Sequence, residues 1–363
     1  MTPDVDLGPP PDPAPIEITL SAVGDVLPHR KVKATAAEKG WDWIFAEAAP
    51  LLGTTDLAFA NLESPVAPDV KERVHDEVFD APAEMLAGLA TAGVDVVSMA
   101  NNHAFDQRPE GIVETWTRVR DAGLHPVGAG PNEVEARSPY VAEVNGVRVA
   151  FLALADLSNI DGNTGPEAPN VFFAGDKHCD GLCEGIDRDA VHYSLDEDRI
   201  LGAVRTAEAM ADVIVVSFHW GNEYRDAPLP EYPALAHRLV EAGVDVILGH
   251  HPHVLQPIER VERSDGTHAV IAYSLGNFVS NMQNARTRDS IVLRLVVTRT
   301  ADGLVDVGDP EVTRLWTENT DGGIRVRTHA SLRAQAEAEG DESRLLLVER
   351  RKEAIDRVIT ARP

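Results

Sequence analysis

The chain has 363 residues, 44% of them hydrophobic, which is enough to bury a large core in one or two domains. Its 59 acidic residues outweigh 33 basic ones, for a formal net charge of −26. Such a surface repels phosphate backbones and anionic membranes, which argues against general nucleic-acid binding and membrane-surface docking. A small anionic substrate stays open, because a metal ion or a local basic patch inverts the field inside a cleft.

Residues 1–16, "MTPDVDLGPPPDPAPI", lack the basic start and apolar stretch of a signal peptide. They read as a Pro-rich flexible linker, of the kind that follows a signal or lipid-anchor segment. No stretch reaches the ~18 apolar residues of a membrane helix. From there the chain alternates strand and helix. "EITLSAVGD" (17–25) is a buried strand ending in Gly-Asp, followed by a helix at 41–52. "DLAFANLES" (56–64) and "VDVVSMANNH" (94–103) are strands separated by a helix at 83–92, and a further helix follows at 109–122. "YVAEVNGVRVAFLAL" is a hairpin turning at Asn145-Gly146. Residues 157–195 are Gly- and Asp-rich without periodicity and read as a long insertion loop. Helices at 196–210 and 231–242 then precede strands "ADVIVVSFHWGNE" (211–223) and "VDVILGHHPH" (244–253). Gly93 and Gly243 sit where the preceding helices should end. A second hairpin turns at Asp265-Gly266, more strands follow in "DSIVLRLVVT" and "GLVDVGDPEVTRLWTEN", and 341–361 is a charged terminal helix. The β-α rhythm with late hairpins predicts an α/β fold: two mixed sheets packed as a sandwich, with helices outside.

Two cysteines, Cys179 and Cys183 in "HCDGLCEG", are too few for a disulfide framework. A local disulfide, free thiols, and a zinc site with His178 or His192 are all compatible with their spacing.

The polar residues at the strand ends carry the chemistry. In order they are Asp25 with His29 nearby; Asn61 and Glu63; Asn102, His103 and Asp106; His219; and His251 and His253, preceded by His250. Open α/β sheets bind ligands beyond the carboxyl ends of their strands. Taken singly, each has a structural explanation: a hydrogen-bonded histidine, an Asn-Asn-His turn, a helix cap at Asp25. Five successive strand ends bearing carboxylate, amide and imidazole, and no thiolate, point instead to metal. That donor set suits Mn, Fe or Zn. It is large enough for two ions sharing a bridging carboxylate, and such a pair can activate water and hold an anionic group. "HPH" directs both imidazoles one way on an extended segment, or at adjacent ions from a kinked turn. Amidohydrolase-type barrels place their H-x-H at the first strand rather than the fifth, and the hairpins break a barrel's regularity.

The ordered motifs "VGD", "ANLE", "ANNHAFD", "FHWGNEY", "GHHPHVLQPIE" and "YSLGNF" resemble the CapA family of capsule and poly-gamma-glutamate biosynthesis, within the calcineurin-like metallophosphatase superfamily. The resemblance spans about residues 17–300, with 301–363 expected to pack on the same domain. It implies a four-layer α/β/β/α sandwich with mixed sheets and a site for two divalent metal ions. By resemblance Asp25 binds the first ion, Glu63 bridges with Asn61 beside it, and Asn102, His219 and His251 bind the second. His253 returns to the first ion. His103 acts near the leaving group and Asp106 orients it. Two departures stand out. Leu27 occupies the place of the usual first-motif histidine, so that either His29 substitutes or the coordination position is empty, and the bridging residue is Glu rather than Asp. His250 is a neighbour of the site and a possible further ligand, Tyr273, Ser274 and Gly276 form a tight turn, and Asn277 and Glu223 with Tyr224 edge the pocket as possible metal or substrate contacts. Arg30, Lys31 and Lys33 form a basic cluster, read either as an attractor for phosphate or a gamma-linked glutamate chain or as a solvated helix start. The resemblance implies an anionic polymer or phosphoester substrate and two roles: a metal-dependent hydrolase, or a non-catalytic subunit of a membrane synthesis and export complex. It also implies a location outside the cytoplasmic membrane, anchored in the full-length form.

Overall fold

The computed structural model describes residues 14–70, 78–160, 162–177 and 191–363. The expected linker lies almost wholly outside them, as do Cys179, Cys183 and His178. Short apolar runs closed by Gly, Asn or Asp form the strands. β1 (Ile16–Val26) runs through the middle of a nine-stranded sheet. On one side it continues in parallel through β2 (Leu57–Leu62), β3 (Val96–Ser98) and β4 (His125–Val127). On the other it pairs antiparallel with β16 (Asp289–Arg299), followed by β18 (Glu311–Thr320) and β19 (Gly323–Thr328). β15 (Asn277–Val279) lies parallel beside the end of β1, and β17 (Val305–Val307) borders β16.

A six-stranded sheet has the order β13 (Ile258–Glu262), β14 (His268–Ala272), β12 (Val246–His250), β11 (Val213–His219), β7 (Val147–Ala155) and β6 (Tyr140–Val144). Its four inner strands are parallel, and the two expected hairpins supply its antiparallel edges. The expected insertion loop carries three short strands: β9 (Asn170–Val171) pairs with β5 (Ala129–Gly130) outside it, and β8 (Leu157–Ser158) pairs with β10 (Val191–His192).

Period-two alternation assembles these sheets into layers. In β7, Val149, Phe151 and Ala153 face the other sheet, while Ala150, Leu152 and Leu154 face helices. The rings of Phe59 on β2 and Phe151 on β7 stack across the sandwich at 6.0 Å. Outside the six-stranded sheet, Ile200 and Val204 of α7 (Glu197–Glu208) and Leu235 and Leu239 of α8 (Glu231–Glu241) cover its face. Outside the nine-stranded sheet lie α1 (Arg30–Lys39), α2 (Trp41–Phe45), α3 (Ala49–Leu52), α4 (Glu84–Thr91) and α5 (Arg108–Asp121). Ile44, Leu52, Leu89 and Ile112 from these helices join the core of that sheet. The short α6 (Glu133–Arg137) packs by β5, and α9 (His329–Glu339) with α10 (Glu342–Ile359) closes the chain beside β18 and β19. The architecture is therefore the α/β/β/α sandwich with mixed sheets that the motifs implied.

Several boundaries differ from the sequence expectation. The helix expected at 41–52 is two short ones, α2 and α3. Pro50 in the first turn of α3 has no N–H to return to the preceding turn, so the helix restarts there. The strand expected over 94–103 ends at Ser98, where the Ser98 hydroxyl accepts the Ala100 N–H at 3.2 Å and the chain turns. α9 was not anticipated; Gly340, at φ 67°, separates it from the expected terminal helix.

Candidate metal centre

The parallel strands of both sheets deliver their carboxyl ends to one place. From the nine-stranded sheet, the register sets Asp25 beside Asn61 on β2 and beside Asn277 on β15. Asp25 and Glu63 are both fully buried. Gly24 makes this possible: a Cβ there would stand 1.8 Å from the Gly276 carbonyl oxygen, and Asp25 N–H donates to that oxygen at 2.9 Å. After β3, Asn101 accepts the His103 N–H at 3.2 Å and donates to the Leu62 carbonyl at 2.9 Å. Asn101 thus holds the turn that directs Asn102 and His103 toward the buried site.

From the six-stranded sheet, His219 ends β11 and His250 ends β12, side by side in register. His251 and His253 then adopt φ of 94° and 56°, a left-handed backbone that is costly for non-glycine residues and is found where function requires it. The kinked turn separates their rings, whose centroids lie 5.9 Å apart.

Two adjacent donor groups result. Asp25, Glu63 and His253 form one and Glu63, His219 and His251 the other, each with its donor atoms within 4.8 Å of one another. Glu63 belongs to both. Asn102 Oδ1 joins the second group, 2.9 Å from His219 Nε2. Both oxygens of Glu63 and both ring nitrogens of His251 are buried without a hydrogen-bond partner among the described residues. Polar atoms buried in this way are costly unless something satisfies them. With carboxylate and imidazole donors and no thiolate, the residues fit a pair of divalent cations such as Mn, Fe or Zn.

Around these donors sit residues that aim them. His250 Nδ1 lies 3.0 Å from Asp25 Oδ1, so this histidine supports the carboxylate and is absent from both donor groups. Asn61 reaches between the sheets, its amide N–H within 2.9 Å of Asp25 Oδ1 and 3.3 Å of His219 Nδ1. In that orientation it presents a donor rather than an oxygen ligand. His253 Nδ1 faces Asp25 at 3.4 Å and Asn277 Oδ1 at 3.0 Å, while its Nε2 faces Glu223 at 3.6 Å. His103 Nδ1 donates to Asp106 Oδ2 at 2.8 Å, and that oxygen also accepts the Phe79 N–H at 2.6 Å.

Other candidates have different partners. His29 Nδ1 lies between the Leu27 carbonyl and the Asn281 N–H, its ring edge-on to Phe79, and it belongs to neither donor group. Arg30 is exposed at the start of α1. Lys31 reaches the Thr320 carbonyl at 3.0 Å and Lys33 the Asp80 carbonyl at 2.8 Å. Tyr273 donates to Glu259 at 3.0 Å, while the Ser274 hydroxyl accepts the Gly276 N–H at 3.2 Å, a tight turn as expected. Tyr224 is half exposed beside His253, with ring centroids 6.1 Å apart.

The family described as "Bacterial capsule synthesis protein PGA_cap" matches residues 19–282. The chain belongs to that family. It is 32% identical to the PGA biosynthesis protein CapA of Bacillus subtilis over 293 residues, covering 80% of this chain and 70% of that one. It is 31% identical to the capsule biosynthesis protein CapA of Bacillus anthracis over 302 residues, covering 80% of this chain and 66% of that one. It therefore spans about two thirds of the length of these relatives. Among solved structures, the calcineurin-like phosphoesterase YfkN of Bacillus subtilis aligns at a TM-score of 0.47 and 13% identity, over 92% of this chain and 99% of that one.

The protonation states within this family member's site follow from burial and neighbours. Burial pushes His219 well down, and it takes His251 down to about 3, each reinforced by a neighbouring imidazole. Both are therefore neutral, the form that donates to a metal. Burial alone would raise Asp25, but hydrogen bonds from His250 and His253 hold it well below the usual carboxylate range. Glu63 is pushed well up by burial and then by the Asp25 charge. Burial opposes ionisation of Glu223 as well, yet its contact with His253 holds it at about 2.

Sequence reasoning missed Asn159. Its side-chain oxygen accepts from Asn102 at 3.2 Å, and its amide nitrogen lies 3.3 Å from His103 Nε2. It lies in the aperiodic stretch after β7, where no pattern singles it out.

Proposed function

We propose that this chain acts on an anionic polymer or phosphoester in capsule or poly-gamma-glutamate metabolism, through a dinuclear metallophosphatase-type hydrolase site. The observation that carries this reading is the sharing of Glu63 by two adjacent donor groups drawn from opposite sheets. Asp25, Glu63 and His253 would hold one divalent cation; Glu63, His219 and His251, with Asn102, would hold the other. When bound, the pair supplies Lewis acidity toward a phosphoryl or carbonyl oxygen. His250 and Asn61 fix the Asp25 carboxylate, and Glu223 fixes His253. His103 gives its Nδ1–H to Asp106, which leaves Nε2 to hold a proton for the departing group. His103 is nearly buried, packed against Phe79 with ring centroids 4.3 Å apart, so water is largely excluded from that proton. The resemblance to proteins named for capsule and PGA biosynthesis supports a role outside the cytoplasmic membrane, alongside a membrane-bound synthesis and export complex. No helix among the described residues is long and apolar enough to cross a membrane.

One observation favours a second reading. Leu27, 1% exposed, occupies the place of the first-motif histidine. A site weakened there suits an accessory subunit that binds the polymer's carboxylates without turnover. The test uses the chain purified with Mn²⁺, assayed on an aryl phosphate and on a gamma-glutamyl peptide. The hydrolase reading expects turnover that falls about 10²–10⁴-fold in His103→Ala and disappears in Asp25→Ala. Turnover indifferent to both substitutions overturns it, and tight polyglutamate binding without turnover selects the accessory role.

A further inference from the structure

The stretch after residue 282, beyond the family match, builds a cavity of its own. It lies where β18 meets α9 and α10, has a volume of about 150 Å³, and is lined by Trp316, Leu332, Leu347 and Val348 together with Arg288, Arg344 and Arg351. Trp316, Leu332 and Val348 form a small apolar cluster separate from the main core.

The arginines differ in their partners. Arg351 is held by Asp289, its Nε 3.0 Å from Oδ1. Arg344 pairs with Glu339 at 3.2 Å and Asp341 at 3.7 Å. Arg288 stacks over the Trp316 ring at 4.2 Å and donates Nε–H to the Thr317 carbonyl at 2.8 Å, but it makes no ion pair among the described residues. The two carboxylates whose charge it feels are engaged elsewhere: Asp289 by Arg351, and Glu318 by Arg325 and Arg327, both at about 3.2–3.3 Å. In a chain with 59 acidic and 33 basic residues, a half-buried arginine without an acid is conspicuous. Glu318 also lines the wall, but Arg325 and Arg327 hold its carboxylate. His329, the last titratable group there, is lowered to about 4 by burial and then by Arg314 and Arg351, so it stays neutral.

We propose that this cavity is a second binding site, separate from the metal centre, for a small carboxylate with an apolar body, seated with its carboxylate on the free guanidinium fork of Arg288. The fork geometry matches a carboxylate in a bidentate pair. The apolar walls favour a body of roughly benzene size, which is what a cavity of about 150 Å³ is known to hold, and disfavour a strongly hydrated ion such as phosphate.

The test uses benzoate as probe and the full chain, by isothermal titration and saturation-transfer NMR. Benzoate should bind saturably, while the uncharged isostere benzamide and inorganic phosphate should bind at least about tenfold more weakly. Arg288→Ala should weaken benzoate by about tenfold or more, and Arg288→Lys should recover only part of this because the fork is lost. Since Arg288 also holds Thr317, Leu347→Trp serves as a second variant. It fills the mouth from a half-exposed position and should abolish binding while leaving the melting temperature near that of the wild type. Asp25→Ala should bind benzoate as the wild type does. No saturable binding at about 10 mM benzoate, binding unaffected by Arg288→Ala and Leu347→Trp, or tighter binding of phosphate or benzamide than of benzoate would each overturn the proposal.

Discussion

At the scale of single residues, the site depends on which polar atoms are held and which are left without partners. Glu223 sits behind His253, and carboxylates in that position typically raise metal affinity. On the proposed dinuclear reading, Glu223→Gln is therefore expected to weaken one of two ions by about 10–100-fold in a metal titration while sparing the other; equal loss of both would place Glu223 elsewhere in the chemistry. A second prediction concerns Asp156, which accepts from the Tyr232 hydroxyl at 2.6 Å and is pushed by burial from its ordinary 3.8 to about 7. Between those values the folded chain keeps a proton that the unfolded chain has released, so stability falls as pH rises through that window. Asp245 and Asp289, each pushed by burial to about 6, act in the same direction. In urea denaturation at a series of pH values, Asp156→Asn should flatten the decline between about pH 4 and 7. The donors themselves were legible because each follows an apolar run with no local use for a charge. Most supporting residues were flagged beside the motifs, but the partners they hold were not. His250 lies 225 positions from the carboxylate it steadies, and Asn159 lies 56 from His103. No sequence pattern records such pairs.

At the scale of elements, the positions of the strand ends are set by close backbone approach. Gly24→Ala would force a Cβ into the Gly276 carbonyl. It is expected to cost about 3 kcal/mol of stability and to weaken metal binding with it, because the shift moves Asp25. A wild-type melting temperature would show that the two segments separate easily. Phe59→Ala removes the ring that stacks on Phe151 between the sheets and should cost about 3–5 kcal/mol without changing the metal count. The strands and hairpins were readable from apolar runs and from the Asn145-Gly146 and Asp265-Gly266 turns, since both signals are local. The break between α2 and α3 at Pro50 was written in the sequence but outweighed by the surrounding apolar residues. α9 was hidden because its few buried positions, His329, Leu332 and Ala336, are too sparse to show a face.

At the scale of the whole molecule, two sheets present parallel strand ends to one cleft in a chain of net charge −26. Self-repulsion at that charge opposes the compact state, so the melting temperature should rise with added monovalent salt, whose screening length falls to about 10 Å at 0.1 M. The order of motifs foretold that distant segments would meet; how the donors divide between two positions came only from the family resemblance, because strand periodicity does not encode the left-handed kinks at His251 and His253 on which that division depends. The direct test is the metal content of the purified chain, loaded with Mn²⁺, freed of excess by gel filtration and measured by mass spectrometry. Sharing of Glu63 predicts about two ions per chain, falling below one in Glu63→Ala; a single ion in the wild type, or an unchanged count in Glu63→Ala, would contradict it.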